Sequence, residues 1–166
     1  MGWLPPEQYV ATIQNATLYG CFYITDPSGR SLALRSSRDP AVWNWPGGDV
    51  ENDENPLDTA VREFREETGH DIESLRPDLV ERPRLLAVTF ASPAASWPRA
   101  KTGFVFDGGC LSEQRIHQIV LQPDEHTEWR THTIDDWQPL MAPEAFTRLR
   151  LVDAARRSSQ TAFISL

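Results

Sequence analysis

The sequence GGDVENDENPLDTAVREFREETGH, residues 47–70, sets a paired glycine and an acidic loop before a short amphipathic helix. Asn55 is a good N-cap, Pro56 suits the first helical position, and Asp58 falls in the first turn, where the helix dipole favours negative charge. Leu57, Ala60, Val61 and Phe64 recur at i, i+3, i+4 and i+7 and form one apolar stripe. Gly69 ends the helix as a C′ residue. At about 100° per residue, Glu63, Glu66 and Glu67 cover an arc of roughly 100° beside that stripe, at the edge of a core. Like charges at these spacings cost some tenths of a kcal/mol per pair. A hard divalent cation relieves that repulsion through oxygen ligands. A solvated acidic helix with local Arg–Glu pairs is the alternative reading of the three glutamates alone.

Outward from this segment, residues 16–25 are rich in β-branched and aromatic types and read as a strand. Asp26-Pro27-Ser28-Gly29 is a turn signal, and Ser31 to Arg35 is the returning strand of a hairpin. Trp43 to Trp45 reads as a short strand stopped by Pro46-Gly47-Gly48. Residues 84–91 and 102–107 read as strands, joined by a loop at 92–101. Ile116 to Leu121 fits either a strand or a helix, and a strand is expected at 129–134. Residues 143–157 read as a C-terminal helix with Phe146, Leu149 and Val152 inward. Residues 1–15 read as an N-terminal arm. No repeat or long linker divides the chain, so 1–166 is expected to form one domain.

Charge is concentrated. The chain holds 24 acidic and 16 basic residues, net −8, and the segment from Asp49 to Gly69 carries most of that excess. This balance argues against binding long nucleic acid by phosphate neutralisation. No apolar run approaches the roughly 18 residues of a membrane span. Cys21 and Cys110 lack metal-ligand spacing and cannot form a disulfide framework. With no basic-then-apolar leader at the N-terminus, a cytoplasmic setting is the expectation.

Gly48, five residues, Glu54, seven residues, then Arg62-Glu63-Phe64-Arg65-Glu66-Glu67-Thr68-Gly69 resembles the Nudix box, G-x5-E-x7-R-E-U-x-E-E-x-G-U, with U bulky and apolar. All seven fixed positions are present, a coincidence on the order of 10⁻⁹ at a given start. His70 departs from the pattern, since it stands at the last U position. The resemblance implies an α+β fold, an α/β/α sandwich around a mixed β-sheet. It implies a hydrolase that cleaves the diphosphate bond of a soluble nucleotide, either a nucleoside diphosphate linked to another group or a nucleoside triphosphate, with Mg²⁺ or Mn²⁺. A pyrophosphate repels an incoming water, and metal ions neutralise that charge and polarise the P–O bond.

The metal ligands implied are Glu63, Glu66, Glu67 and the Gly48 carbonyl, with Glu54 and Arg62 pairing to support the box. A further acid from a later loop is expected at the metal centre, and Glu125 and Glu128 are the candidates. With Glu63 and Glu66 they complete the expected catalytic set. His126 and His132 are alternative candidates for a catalytic base, each read in preference as an exposed bystander. For substrate contacts, Arg35, Arg38, Arg99 and Lys101 are phosphate candidates. Trp97, Trp129 and Trp137 are stacking candidates, although each alone more often packs in a core. The expected partner is a small-molecule nucleotide, not a nucleic acid polymer or a membrane, and a homodimer is left open. The alternative from another class is a non-catalytic nucleotide-binding regulatory domain, which usually loses a box glutamate; this chain keeps them all.

Overall fold

The computed structural model describes residues 3–95 and 97–165. In chain order these form α1 (Pro6–Val10), β1 (Ala16–Thr25), β2 (Ser31–Ser36), β3 (Trp43–Asn44), β4 (Gly47–Asp49) and α2 (Pro56–Thr68). There follow α3 (Ile72–Leu75), α4 (Pro77–Glu81), β5 (Leu85–Ala91), β6 (Ala100–Cys110), α5 (Glu113–His117) and β7 (His126–His132). The chain finishes with α6 (Ile134–Trp137), a 3-10 turn at Gln138–Leu140, α7 (Pro143–Ser158) and β8 (Ala162–Ser165).

The sheet runs β3-β2-β1-β6-β5-β8, with β4 added to β1 and β7 added to β2. The β1/β6 and β5/β8 pairs are parallel and the others antiparallel, so the sheet is mixed. Asp26 closes the first hairpin: its Oδ1 accepts from the backbone N–H of Ser28 at 2.9 Å and of Arg30 at 2.8 Å. Beyond that turn the hairpin forks. β1 and β2 are in register only at Thr25 and Ser31; β4 then takes the edge of β1, while β7 takes that of β2. A cavity opens in this fork.

Alternation along β1 divides the core between two faces. Cys21 and Tyr23 face a cluster with Leu86, Val105, Trp137, Leu149 and Val152, beneath α6 and α7. Phe22 and Ile24 face Leu32, Leu34, Ala60, Phe64, Ile72 and Ile116, beneath α2, α3 and α5. Helices therefore cover both faces of the sheet, the expected α/β/α layering. The stripe of α2 is the buried one: Ala60 and Phe64 are fully buried, and Leu57 and Val61 pack at the margin. Asn55 Oδ1 accepts from the N–H of Leu57 and Asp58, and Gly69, at φ 71°, caps the other end.

Several boundaries differ from the sequence reading. The glycines at 47–48 do not simply stop a strand; they continue as β4, paired with Cys21 and Gly20. β7 begins at His126, not at 129, because it follows β2 back as far as Ser36. The ambiguous stretch at 116–121 resolves into α5, capped by Ser112 Oγ on Arg115 N–H, and an irregular segment. β8 was not anticipated. Of the inward residues expected on α7, Leu149 and Val152 are buried and Phe146 packs against the same cluster.

Candidate active site

Arg62 is the hub of the acidic segment. Its Nε donates to Glu54 Oε1 at 2.7 Å and its Nη2 to Glu54 Oε2 at 3.1 Å. Its Nη1 donates to Glu63 Oε1 at 2.8 Å and to Glu66 Oε2 at 3.1 Å. The Thr59 hydroxyl adds a 2.8 Å bond to Glu54 Oε2. These donors, Arg62 first, hold the Glu54 carboxyl down to about 2. The loop that leads into α2 is thus tied to the helix by a charge-assisted fork.

The three glutamates of the arc differ in environment. The Glu66 side chain is 45% exposed, that of Glu63 13% and that of Glu67 4%. Burial pushes Glu63 up to about 7, against the pull of Arg62. Glu67 is held at both oxygens: Oε2 accepts from Gly47 N–H at 2.8 Å, and Oε1 lies 2.5 Å from His126 Nε2. Burial raises the Glu67 carboxyl, and the carboxylate in turn raises the His126 imidazole against its own burial. The pair therefore keeps one shared proton to higher pH than either group would alone.

A cavity of about 490 Å³ opens beside this pair. Gly48 on the β4 prong, Glu125 and His126 on the β7 prong, and Glu63 and Glu67 of α2 line it, and Tyr19, Thr89, Lys101 and Arg148 also reach it. Ligand atoms of Glu67, Glu125 and His126 lie within 4.8 Å of one another. A side chain at Gly48 would overlap the Glu63 carboxylate, so only a bare backbone lets β4 approach this group.

The sequence candidates fall into two groups. Gly48, Glu63, Glu67, Glu125, Arg38 and Lys101 line the cavity. Lys101 Nζ is already engaged by Asp49 Oδ1 at 2.7 Å and sits over the rings of Tyr19 and Trp97. Glu66 lies outside the lining, on the exposed side of Arg62. Glu128 is directed away from it: its carboxylate is bound by Arg130 Nε at 2.6 Å and Arg35 Nη1 at 3.3 Å. That pairing also occupies Arg35. Arg99 is exposed and outside the lining. Trp129 packs in the core cluster beneath α2, edge-on to His117, and Trp137 is fully buried.

His126 corrects the sequence reading. It is no exposed bystander but a buried partner of Glu67, while His132 lies edge-on to Trp137. No local signal marked it: its inward place comes from the long-range pairing of β7 with β2 from Ser36 onward. The departure at His70 is also resolved. It is buried, stacked on Phe64, with Nε2 2.7 Å from the Arg115 carbonyl, so an imidazole fills the apolar position and its polar atom is satisfied.

The family model described as NUDIX domain matches residues 15–155. The chain belongs to the Nudix family. The fold agrees with that of solved Nudix hydrolases. A MutT protein from Methanosarcina mazei Go1 is 21% identical, with 89% of this chain and 98% of that chain covered and a TM-score of 0.64. A MutT Nudix hydrolase from Burkholderia pseudomallei is 24% identical, with 83% and 97% covered and a TM-score of 0.63. An Ap4A hydrolase from C. elegans, solved as a binary complex, is 20% identical, with 86% and 99% covered and a TM-score of 0.62. At these identities the likeness is one of fold. Comparison with curated proteins found no match. Among the described residues, no helix of this Nudix chain is long and apolar enough to cross a membrane.

Proposed function

We propose that the chain hydrolyses a diphosphate bond in a soluble nucleotide, a nucleoside diphosphate linked to another group or a nucleoside triphosphate, with Mg²⁺ or Mn²⁺ as cofactor. The observation that carries this reading is the convergence of Glu63, Glu67, Glu125 and His126 on one cavity beside the bare backbone of Gly48. The donor set fits a hard divalent ion: carboxylate oxygens dominate, and the one nitrogen donor is compatible with Mn²⁺. Glu63 and Glu67 would hold it, with the Gly48 carbonyl completing the set. When bound, the ion neutralises phosphate charge and polarises the scissile P–O bond.

The chain's own groups do the rest. Gly47 N–H and His126 fix the Glu67 carboxylate in one orientation, and the imidazole holds a proton at Oε1. The Glu54–Arg62 fork keeps the loop against the helix, so the carboxylates stand preorganised. Glu125 comes from a separate loop and lines the cavity with no cation paired to it among the described residues. It is the acid we assign to orient and deprotonate the attacking water. Glu128, neutralised by two arginines, is not suited to that task. Nucleotide substrates accord with the Ap4A hydrolase among the structural neighbours.

A panel of nucleoside triphosphates, dinucleoside polyphosphates and nucleotide sugars, assayed with Mg²⁺ or Mn²⁺ for phosphate or mononucleotide release, tests the reading. Glu67→Gln keeps an acceptor for Gly47 and a neighbour for His126 while removing charge. We expect turnover to fall by at least about 10²-fold. Wild-type turnover in that variant, or no hydrolysis of any nucleotide by the native chain, would overturn the proposal.

A further inference from the structure

The far wall of the cavity carries a cation that the proposed chemistry does not use. Arg148, on α7, lines the same cavity as Glu63 and Glu67 but enters from the opposite layer of the sandwich. Its guanidinium sits over the ring of Trp45, 5.1 Å from the centroid. Its Nη1 lies 3.5 Å from the Tyr19 hydroxyl, and its buried Nε has no hydrogen-bond partner. Among the described residues, no carboxylate comes within ion-pair distance of it. Lys101, on the same wall, is neutralised by Asp49. Arg38 also lines the cavity with no ion pair among the described residues, but it is exposed at the β2 rim; Arg148 is the partly buried cation of the lining left without a counter-charge.

Stacking on Trp45 explains how the charge is tolerated. A cation over an indole face recovers part of its lost hydration. That contact uses the flat face, however, and the donors of a guanidinium point along its edge. The edge has only the Tyr19 hydroxyl at the limit of bonding distance. A fork of this kind matches the oxygens of a phosphate. A phosphate at the carboxylate wall is served by the metal; one on the Arg148 side needs its own cation. Arg148, Glu67 and Cys21 line one continuous cavity, so a polyanion held at the carboxylates has Arg148 within the same enclosure.

We propose that Arg148 binds a phosphate beyond the scissile bond and so selects substrates that end in a phosphate, such as nucleoside triphosphates, over those in which the diphosphate is capped by a neutral sugar. This rests on the hydrolase reading above for its kinetic consequence but not for the binding itself.

Two arms test it. In steady-state kinetics with Mg²⁺, Arg148→Gln should raise KM for a nucleoside triphosphate about tenfold or more, the size of a charged hydrogen bond, with kcat little changed. KM for a nucleoside diphosphate sugar should stay within about threefold, and Arg148→Lys, which keeps charge but loses the fork, should fall between. In the second arm, chelator-treated protein is titrated with inorganic triphosphate by calorimetry, and Arg148→Gln should bind about tenfold more weakly than wild type. Arg150→Gln, two residues on and about 200° round the helix, exposed, serves as control, and thermal melts confirm that each variant is folded. Equal KM changes for both substrate classes, or unchanged triphosphate binding in Arg148→Gln, would overturn the proposal. If Arg148→Gln fails to fold, Arg148→Lys decides on the same readouts. If the native chain cleaves no nucleotide, the hydrolase reading falls while the titration still decides on Arg148.

Discussion

Substituting alanine at two glycines should separate stability from activity. At Gly48 the backbone is one that alanine can adopt, and the obstacle to a Cβ is the Glu63 side chain: its carboxylate is overlapped and its Cγ is 3.0 Å away. Ordinary contact begins near 3.4 Å, so the carboxylate must withdraw by about 1 Å or more, which costs on the order of 10²-fold in rate for a catalytic group. The side chain is free to do so. The loss of its Arg62 pair costs about 0.2–1 kcal/mol, and the reduced freedom of the unfolded chain returns about 0.4–1 kcal/mol. Stability should therefore barely change. At Gly20 a Cβ would meet the backbone of Pro56, overlapping its carbonyl oxygen and lying 2.7 Å from its carbonyl carbon. That is the first turn of α2 and cannot swing aside, so Gly20→Ala should cost about 3 kcal/mol or more. For a chain of this size that lowers Tm by roughly 10 °C. Calorimetric melts and kcat on an established nucleotide substrate read both effects. Full kcat in Gly48→Ala, or a loss of Tm matching that of Gly20→Ala, would refute the reasoning.

Other outcomes follow from the same geometry. Glu125→Gln should lower kcat by about 10²-fold or more with little change in KM, whereas Glu128→Gln should leave kcat near wild type and cost at most about 1 kcal/mol; the reverse order in steady-state kinetics would exchange their roles. Glu54, held down to about 2 from 4.5, contributes stability that is fully present above pH 4.5 and lost as pH falls toward 2. Melts of wild type and Glu54→Gln across that range should converge at acid pH, and parallel curves would remove the Arg62 fork from the account. Mg²⁺ or Mn²⁺ at 100 times its Kd should stabilise the native chain by about 2.7 kcal/mol. A melting temperature indifferent to millimolar metal counts against a cation site.

The legible parts of this molecule were those with local causes. Asn55, Pro56 and Gly69 bound α2 through caps made within a few residues, and the arc of glutamates follows from helical geometry. The graded burial of that arc did not, because it depends on Gly47 and His126 arriving from other strands. His126 was unreadable for the same reason: one residue from Glu125 in an acidic, polar stretch, it gains its place only from pairing with β2. β8 has four residues and no turn signal of its own, and its partner, β5, lies about 75 positions earlier. Trp129 and Arg35 looked like ligand contacts because exposure cannot be told from composition. One is spent on packing and the other on Glu128.

The long β1/β6 seam has a kinetic consequence. Thr25 and Gly109, near its end, are 84 positions apart, and this parallel pairing is the most extensive in the sheet. No hairpin can template it, so loop-closure entropy is lost before most of the seam's contacts form. A nascent chain that has released only the box helix therefore has the box carboxylates but not Glu125, His126 or Arg148; the cavity is incomplete until residue 148 has emerged. Folding should accordingly be slow, with β8 the last strand to join, adding to an edge already built. An excised peptide covering residues 47–70 would keep the motif and lose the fork in which it works.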